Sequence, residues 1–523
     1  MKKLFAVLLT VCLMLGMFSA CSNGKDTVDD PANTGAENGL SVSKEPIKDL
    51  VTYVVASQEM STFNILYSQS TNETQVLTNC IDGLLSHDNY GNLVPALAES
   101  WESDDGGLTW TFHLRKGVQW VDYQAQPQTD VVADDWLWGL EWVLNFYKNG
   151  AYNTSMPKKM IAGAEDYYTA GYEDLAADAD DEAKKAYEED KAAFEALCAK
   201  YDLPTTRLTE EEGKNLDLTI FKKMVGIEAP DDYTLVYHCT SPMAYFPTLA
   251  TYNCLYPASH DLIEKLGVDG FLACTYDNMW YNGCYTITTY VNANEKVLTK
   301  NPLYWDTDCT LFDSVTYKMV ESKDVAFQMF QAGEVDDITL TESNLHTIYD
   351  NPSNEYHDNL VESRPTKFSY QIHFCWDKYL ENGEPDTNWN TAIANESFRK
   401  AWYYGLDLTP YLARTNYINP QNCANYAYTM SNLVSFSDGT EYTQRVMDKL
   451  GIKADGTSFA RYDAAKADEY KSKAIEELTA KGVTFPVEID YYIKASDQTA
   501  LDNANVMKQM FSDCLGDDFV TFN

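Results

Sequence analysis

Thirty-seven tyrosines and eleven tryptophans give this 523-residue chain a large supply of aromatic faces. Such faces stack on sugar rings and on the side chains of peptides. Groups that break bonds are harder to find. The serine nucleophile of G-x-S-x-G, the zinc pair of H-E-x-x-H and a phosphate-cradling P-loop are all missing from the sequence. Pairs of carboxylates are abundant, but among 79 acidic residues they arise by chance and do not argue for a glycosidase. No two of the seven histidines lie within four positions of each other, so nickel is a poor match. Twelve cysteines include no C-x-x-C and no cysteine–histidine spacing that suits zinc. Cys239 with Cys254, or Cys274 with Cys284, are candidate disulfides; buried free thiols are the alternative in a body large enough to build its own core. The chemistry to expect is binding, with no catalytic residue, no cofactor and no metal.

The elements that must position a binding site centre on Asn282 to Asp306, NGCYTITTYVNANEKVLTKNPLYWD. Asn282-Gly283 is a turn dipeptide. Tyr285, Ile287, Thr289 and Val291 then alternate with Thr286, Thr288 and Tyr290, the period of a two-faced strand. Asn292-Ala293-Asn294 turns the chain, and Val297 to Thr299 returns as the partner. Asn301-Pro302 stops the ladder, because proline donates no hydrogen bond, and Tyr304 and Trp305 pack over the stop. The run from Leu50 reads as a buried first strand, and Gln75 to Leu85 as a helix ending at DGLL. Trp110, Phe112 and Leu114 share one strand phase. Ala133 to Asp135 opens a helix carrying Trp136, Leu140 and Val143. Glu165 to Leu218, dense in Ala, Glu, Asp and Lys, reads as an exposed helical insertion. Val487 to Asn523 reads as strand, helix and strand.

At the N-terminus Lys2 and Lys3 precede an apolar run from Leu4 to Ala20, the parts of a secretory signal. Phe18-Ser19-Ala20-Cys21 resembles a bacterial lipobox, with Cys21 as the lipidated residue. Ser22 to Ile47 is polar and reads as a flexible spacer. The formal net charge of −40 repels nucleic acid and anionic headgroups without identifying a ligand. A chain this long needs two or three lobes.

The central run resembles the "NGxYxL…VLxKNPxYWD" segment of the oligopeptide-binding proteins of ABC importers, the peptide/nickel family (family 5) of extracellular solute-binding proteins. Five further matches occur in the family's order. GNLVPALAESWESDDGGLTWTFHLRKGVQW, VVADDWLWGLEWVLN and VGIEAPDDYTLVYHCTSPMAYFPTL are joined by FQMFQAGEVDDITL and the stretch Phe398 to Asp407. The resemblance runs from the first body strand to Asn523, where the family continues into a "GWxxDY"-like loop, so the fold is expected to be truncated at its C-terminus.

That resemblance implies an α/β, periplasmic-binding-protein-like type II fold, a two-lobed Venus flytrap with an extra domain. The implied order is signal peptide 1–20, lipidated linker 21–47, lobe I from 48–81 and 219–318, extra lobe II at 82–218 with the insertion 165–218, and an incomplete lobe III at 319–523. Oligopeptide would lie between lobes, held by main-chain hydrogen bonds. Glu59, Met60 and Ser61 would line one side, with Asn282, Gly283 and Tyr285 near the crossing, and Tyr370 and His373 facing them from a strand FSYQIHF. Tyr285 and Tyr370 are equally readable as packing residues, and a lone His373 as a satisfied polar residue. The implied partners are an ABC permease and its ATPase, and the membrane through the lipid on Cys21. A monomer on the outer leaflet of the cytoplasmic membrane is expected. Some members of the family bind oligosaccharides or signalling peptides, which stand as alternative cargo, and a secreted hydrolase is the remaining alternative.

Overall fold

A computed structural model describes residues 47–523 except 56–58, 89–90, 151, 171–175, 177–178, 205–209, 364–368, 432, 435, 437, 439, 454–459 and 494–497. The expected signal sequence, Cys21 and the expected spacer as far as residue 46 lie outside the described residues. The chain divides into two compact units, one through Thr339 and one from Leu340.

In chain order the main elements of the first unit are β1 (Asp49–Val55), α1 (Thr71–Leu77), β2 (Ala98–Glu102), β3 (Thr109–Leu114), α2 (Asp134–Leu144), α3 (Asp181–Tyr201), β4 (Ile227–Asp231), β5 (Thr234–His238), α4 (His260–Leu272), β6 (Tyr285–Val291), β7 (Glu295–Lys300), β8 (Ser314–Val320) and α5 (Lys323–Ala332). One sheet has the order β1-β8-β7-β6, with β1 parallel to β8 and the other pairs antiparallel. The second, β2-β3-β5-β4, is antiparallel throughout. A boundary at 318/319 falls inside β8, which is hydrogen-bonded to β1 and β7; the compact unit runs on through α5 to Thr339.

β6 and β7 form the hairpin that the sequence predicts, turning through Ala293 at φ 54°. A bulge between Ile287 and Thr289 breaks the alternation, because one extra residue reverses the phase of all that follow. Tyr285 and Ile287 therefore face the core, whereas Val291 is exposed and Tyr290 packs edge-on to Phe63 at 4.9 Å.

The helix expected over Gln75 to Leu85 is instead α1, which stops at Leu77. The carbonyls beyond it are taken by distant donors. Cys80 receives the N–H groups of Asn282 and Gly283, and Gly83 and Leu84 receive those of Leu97 and Ala98. Long-range pairing thus outcompetes local propensity.

On the second sheet Phe112 and Leu114 are buried and Trp110 is half-buried. α2 is buried from Asp135 to Leu144, with Trp136 and Trp142 among the largest enclosed side chains. The insertion is helical as read. Asp180 caps α3 by accepting from the Ala183 N–H, and only Phe194 and Cys198 of that helix are buried. Lys200 and the Tyr201 hydroxyl both reach Asp166 at 2.6 Å, which ties the far end down.

The second unit is built from α6 (Glu396–Gly405), α7 (Ala464–Thr479), β9 (Val487–Ile489), α8 (Gln498–Leu515) and β10 (Val520–Phe522), with β9 parallel to β10. Phe398, Ala401 and Trp402 fall on one face of α6 and are buried beside Phe511 and Phe519. Each large ring enclosed there contributes roughly 1.5–3 kcal/mol. The ten cysteines from Cys80 to Cys514 are all free thiols, so neither candidate disulfide is formed.

Candidate functional site

The residues that open and close the central hairpin converge on one aspartate, Asp82. Asn282 Oδ1 accepts the Asp82 N–H at 2.8 Å. The Tyr304 hydroxyl and the Trp305 Nε1–H both donate to Asp82 Oδ2 at 2.9 Å, and the Arg115 guanidinium lies 3.8 Å from the centre of the Trp305 ring. Burial pushes the Asp82 carboxyl up to about 6, against the pull of Trp305 and Tyr304. Asn301 Nδ2 donates to the Gly283 carbonyl at 3.0 Å. Gly283 itself lies so close to the chain after α1 that a Cβ would stand 2.6 Å from the Cys80 carbonyl carbon. Asn282, Gly283, Asn301, Tyr304 and Trp305 are thus a clasp that locks the hairpin to residues 79–82. Tyr285 is 2% exposed and its hydroxyl donates to the Phe312 carbonyl at 3.0 Å, which makes it a packing residue.

The segment that follows β1 is differently built. Glu59 Oε1 is 2.6 Å from the Nζ of Lys296, a lysine only 1% exposed, and also accepts the Met60 N–H. Glu59 Oε2 accepts the Ala293 N–H at the hairpin tip, 2.9 Å away. Burial would raise the Glu59 carboxyl, but the Lys296 and backbone hydrogen bonds hold it below its ordinary value. Met60 is buried in the core, and the exposed Ser61 gives both its N–H and its Oγ–H to Glu73 at 2.8 Å. Glu73 is 2% exposed and also receives the hydroxyls of Ser68 and Ser70. The two carboxylates therefore consume the N–H groups of Met60 and Ser61. The carbonyls of Glu59, Met60 and Ser61 accept no hydrogen bond from any described residue. Such a strip can accept the N–H groups of an extended chain.

In the second unit Tyr370 is 89% exposed, and 369–375 contains no strand, because no other described segment hydrogen-bonds to it as a ladder. The alternation of FSYQIHF supplied a face but no partner. His373 is exposed, with Gln371 Nε2 at 3.2 Å from its Nε2. The structure brings Glu59, Met60 and Ser61 together, and joins Asn282 and Gly283 into the clasp. Tyr370 and His373 belong to the other unit. Sequence reasoning missed Lys296, Glu73 and Asp82. Lys296 stands in phase with the buried Leu298 of β7, and that phase was the available signal.

One group with metal-ligand chemistry occurs among the described residues, His260, Asp261 and Glu264 of α4, whose donor atoms lie within 4.8 Å of one another. Asp261 and Glu264 are exposed, and the group sits at a helix N-terminus, where the dipole opposes a cation. No described helix is long and apolar enough to cross a membrane.

The profile of the family described as "Bacterial extracellular solute-binding proteins, family 5 Middle" matches residues 92–521. "Oligopeptide-binding protein AliB" of Streptococcus pneumoniae is 25% identical over 90% of this chain and 66% of its own. "Oligopeptide-binding protein SarA" of Streptococcus gordonii is 23% identical over 99% and 71%. The chain thus spans about two thirds of the length of these relatives. Among solved structures, the substrate-binding domain of an oligopeptide ABC transporter from Bacillus anthracis superposes with a TM-score of 0.53 at 18% identity, covering 92% of this chain and 76% of that one. The α/β fold class expected from the sequence is the observed one.

Proposed function

Because this chain belongs to the family 5 bacterial extracellular solute-binding proteins, we propose that it captures oligopeptides outside the cytoplasm and delivers them unaltered to an ABC permease. The match of residues 92–521 to that family carries the reading, and the relatives AliB and SarA are named as oligopeptide-binding proteins. The geometry supports it at one point. The 59–61 strip offers backbone acceptors only, and backbone N–H groups are common to every peptide whatever its side chains. Cys21 carries the lipid that holds a monomer to the outer leaflet, with the spacer lifting the folded body clear. Glu59, Met60 and Ser61 present the ligand with carbonyls, while Asn282 and Gly283 hold the hairpin to residues 79–82 and Tyr285 packs against Phe312. Tyr370 and His373 meet the ligand from the second unit. The protein closes on the peptide, and the ligand favours closure only as far as it binds the closed state more tightly.

Thermal unfolding with pools of tripeptides to hexapeptides, and separately with oligosaccharides, tests the reading. Stabilisation by peptides is expected, rising with the logarithm of their concentration. Stabilisation by sugars alone would overturn the cargo, and cleavage of the peptides during incubation would overturn the absence of catalysis.

A further inference from the structure

Phe63 follows the 59–61 strip by two residues and stands at the mouth of a small cavity in the first unit. The cavity, of about 30 Å³, is walled mainly by hydrocarbon, with Ile65, Leu66, Ile81, Trp120, Leu262 and Met279 among its lining. Of all the residues that line it, Phe63 alone is not buried. Its ring meets Tyr290 edge-on at 4.9 Å and Tyr276 at a tilt at 6.4 Å, so aromatic rings rim the mouth. Lys296 Nζ, 2.6 Å from Glu59 Oε1, lies 5.4 Å from the centre of the Tyr290 ring. The rim is thus continuous with the strip through side chains as well as along the chain.

Two features distinguish this cavity from a chance gap in packing. Its wall is strapped in place from three directions. Asn153 Nδ2 donates to the carbonyls of Leu66 and Ser68 at 2.9 and 2.7 Å, Asn253 Nδ2 to those of Ile65 and Ser68 at 2.9 and 3.2 Å, and Asn64 Nδ2 to that of Phe271 at 3.0 Å. A loop so held forms its pocket before any ligand arrives. The second feature is polarity. Trp120 Nε1–H donates to Asp135 at 2.9 Å, and none of the lining side chains has a buried nitrogen or oxygen without a partner among the described residues. A water needs several such partners, so the space suits a hydrocarbon group.

We infer that this cavity is a side-chain subsite of the peptide site: where the peptide backbone runs along the 59–61 strip, one aliphatic side chain of valine or leucine size enters beside Phe63. The inference rests on the peptide-binding reading above and adds to it the class of residue selected. Such a group leaves water and gains the contacts that the lining lacks. The small volume favours an aliphatic chain over an aromatic ring.

Calorimetry with pentaalanine and with its single-leucine and single-lysine variants at every position tests this. Wild type is expected to bind the leucine peptide roughly 10-fold tighter than pentaalanine at one position and within about 2-fold elsewhere, with lysine weakest at that same position. Ala258 lines the cavity, and in Ala258→Val the added methyl groups occupy it, so the leucine advantage falls below about 2-fold. Phe63→Ala takes a wall from the mouth and lowers the advantage below about 3-fold. Each variant is judged by the ratio of the leucine to the alanine peptide, which a general loss of stability does not move. Phe63 is only half-buried, so its variant is read even where Ala258→Val does not fold. A leucine advantage that persists undiminished in either folded variant would overturn the inference. A flat leucine scan alongside bound pentaalanine would overturn it while the peptide-binding reading stands. If no peptide binds, that reading falls, and the inference with it.

Discussion

The Glu59–Lys296 pair decides whether Glu59 is a strut or a ligand contact, and a double-mutant cycle separates the two. Lys296 is 1% exposed and the Glu59 side chain 20%, with 2.6 Å between Nζ and Oε1. At an effective dielectric constant of about 20 the gross attraction is roughly 6 kcal/mol, most of it cancelled by the desolvation of two ions. Breaking one side does not recover that desolvation. Lys296→Met leaves the carboxylate with the Ala293 and Met60 N–H groups only, and is expected to cost about 3 kcal/mol, the low end for a buried pair because Glu59 is partly wetted. Glu59→Gln strands a more deeply buried ammonium and should cost about 4 kcal/mol. The double variant, with no buried charge left at the pair, should recover at least about 2 kcal/mol of the summed losses. Urea unfolding followed by tryptophan fluorescence gives the four stabilities, and peptide affinity is measured on the same proteins. A strut predicts that all three variants loosen residues 59–61 and weaken every peptide alike. A coupling below about 0.5 kcal/mol would refute the ion-pair reasoning. Loss of peptide binding by Glu59→Gln at unchanged stability would make the carboxylate a ligand contact.

Three further perturbations test other parts of the first unit. Asp135 is 5% exposed and burial pushes it up to about 7 from 3.8, so the native state holds a proton that the unfolded chain releases. Its contribution is therefore fully present below about pH 4 and is lost as pH rises towards 7, up to about 4 kcal/mol in all. Asp135→Asn should gain on wild type by most of that amount between pH 4.5 and 7.5 in urea unfolding (about 3 kcal/mol), and a pH-independent difference would refute the shift. Tyr285→Phe removes a buried hydroxyl that donates to Phe312, so about 1 kcal/mol of stability should go while peptide affinity stays within about 2-fold; a collapse of affinity would return Tyr285 to the binding surface. Gly283→Ala drives a Cβ to 2.6 Å from backbone of Cys80 and 2.8 Å from that of Asn79. Neither neighbour is a flexible side chain, so a loss of about 3 kcal/mol or more is expected in the same assay, and an unchanged unfolding midpoint would show that the clasp is not tight.

What the sequence made legible was mostly periodic. The β6–β7 hairpin, the β3 strand and the strand–helix–strand of 487–523 each follow from spacing within a dozen or so residues. The bulge near Thr288 was not legible, because alternation is the same on both sides of it and only the change of phase reveals it. The overextended helix at Gln75 to Leu85 failed for the opposite reason. Its local pattern is helical, and the carbonyls that end it answer to N–H groups about 200 residues away. FSYQIHF alternates as a strand should, yet a strand needs a neighbour that no single-segment reading can supply. The Glu73 cage lacks any period: Ser61, Ser68 and Ser70 reach it from an irregular loop, and serines in loops are ordinary. Of the clasp, Asn282-Gly283 was readable as a turn, and its partners at residues 79–82 were not.

That division has a physical cause. Asn282, Gly283, Asn301, Tyr304 and Trp305 are the residues that make the central run recognisable, and every one of them acts in the clasp to residues 79–82. A residue in such a clasp has several partners at fixed distances, so substitution at any of them leaves a buried polar group or a collision. Residues that meet a variable ligand carry no such internal constraint, and the candidate for that work here is a run of carbonyls. Carbonyls are independent of residue type. The pattern by which this chain is placed in its family therefore describes how the scaffold is held, while selectivity lies in positions that the pattern does not contain. Substitutions in the clasp should accordingly lower stability and affinity together, whereas substitution of the exposed Tyr370 should change the ranking of peptides and leave stability unchanged.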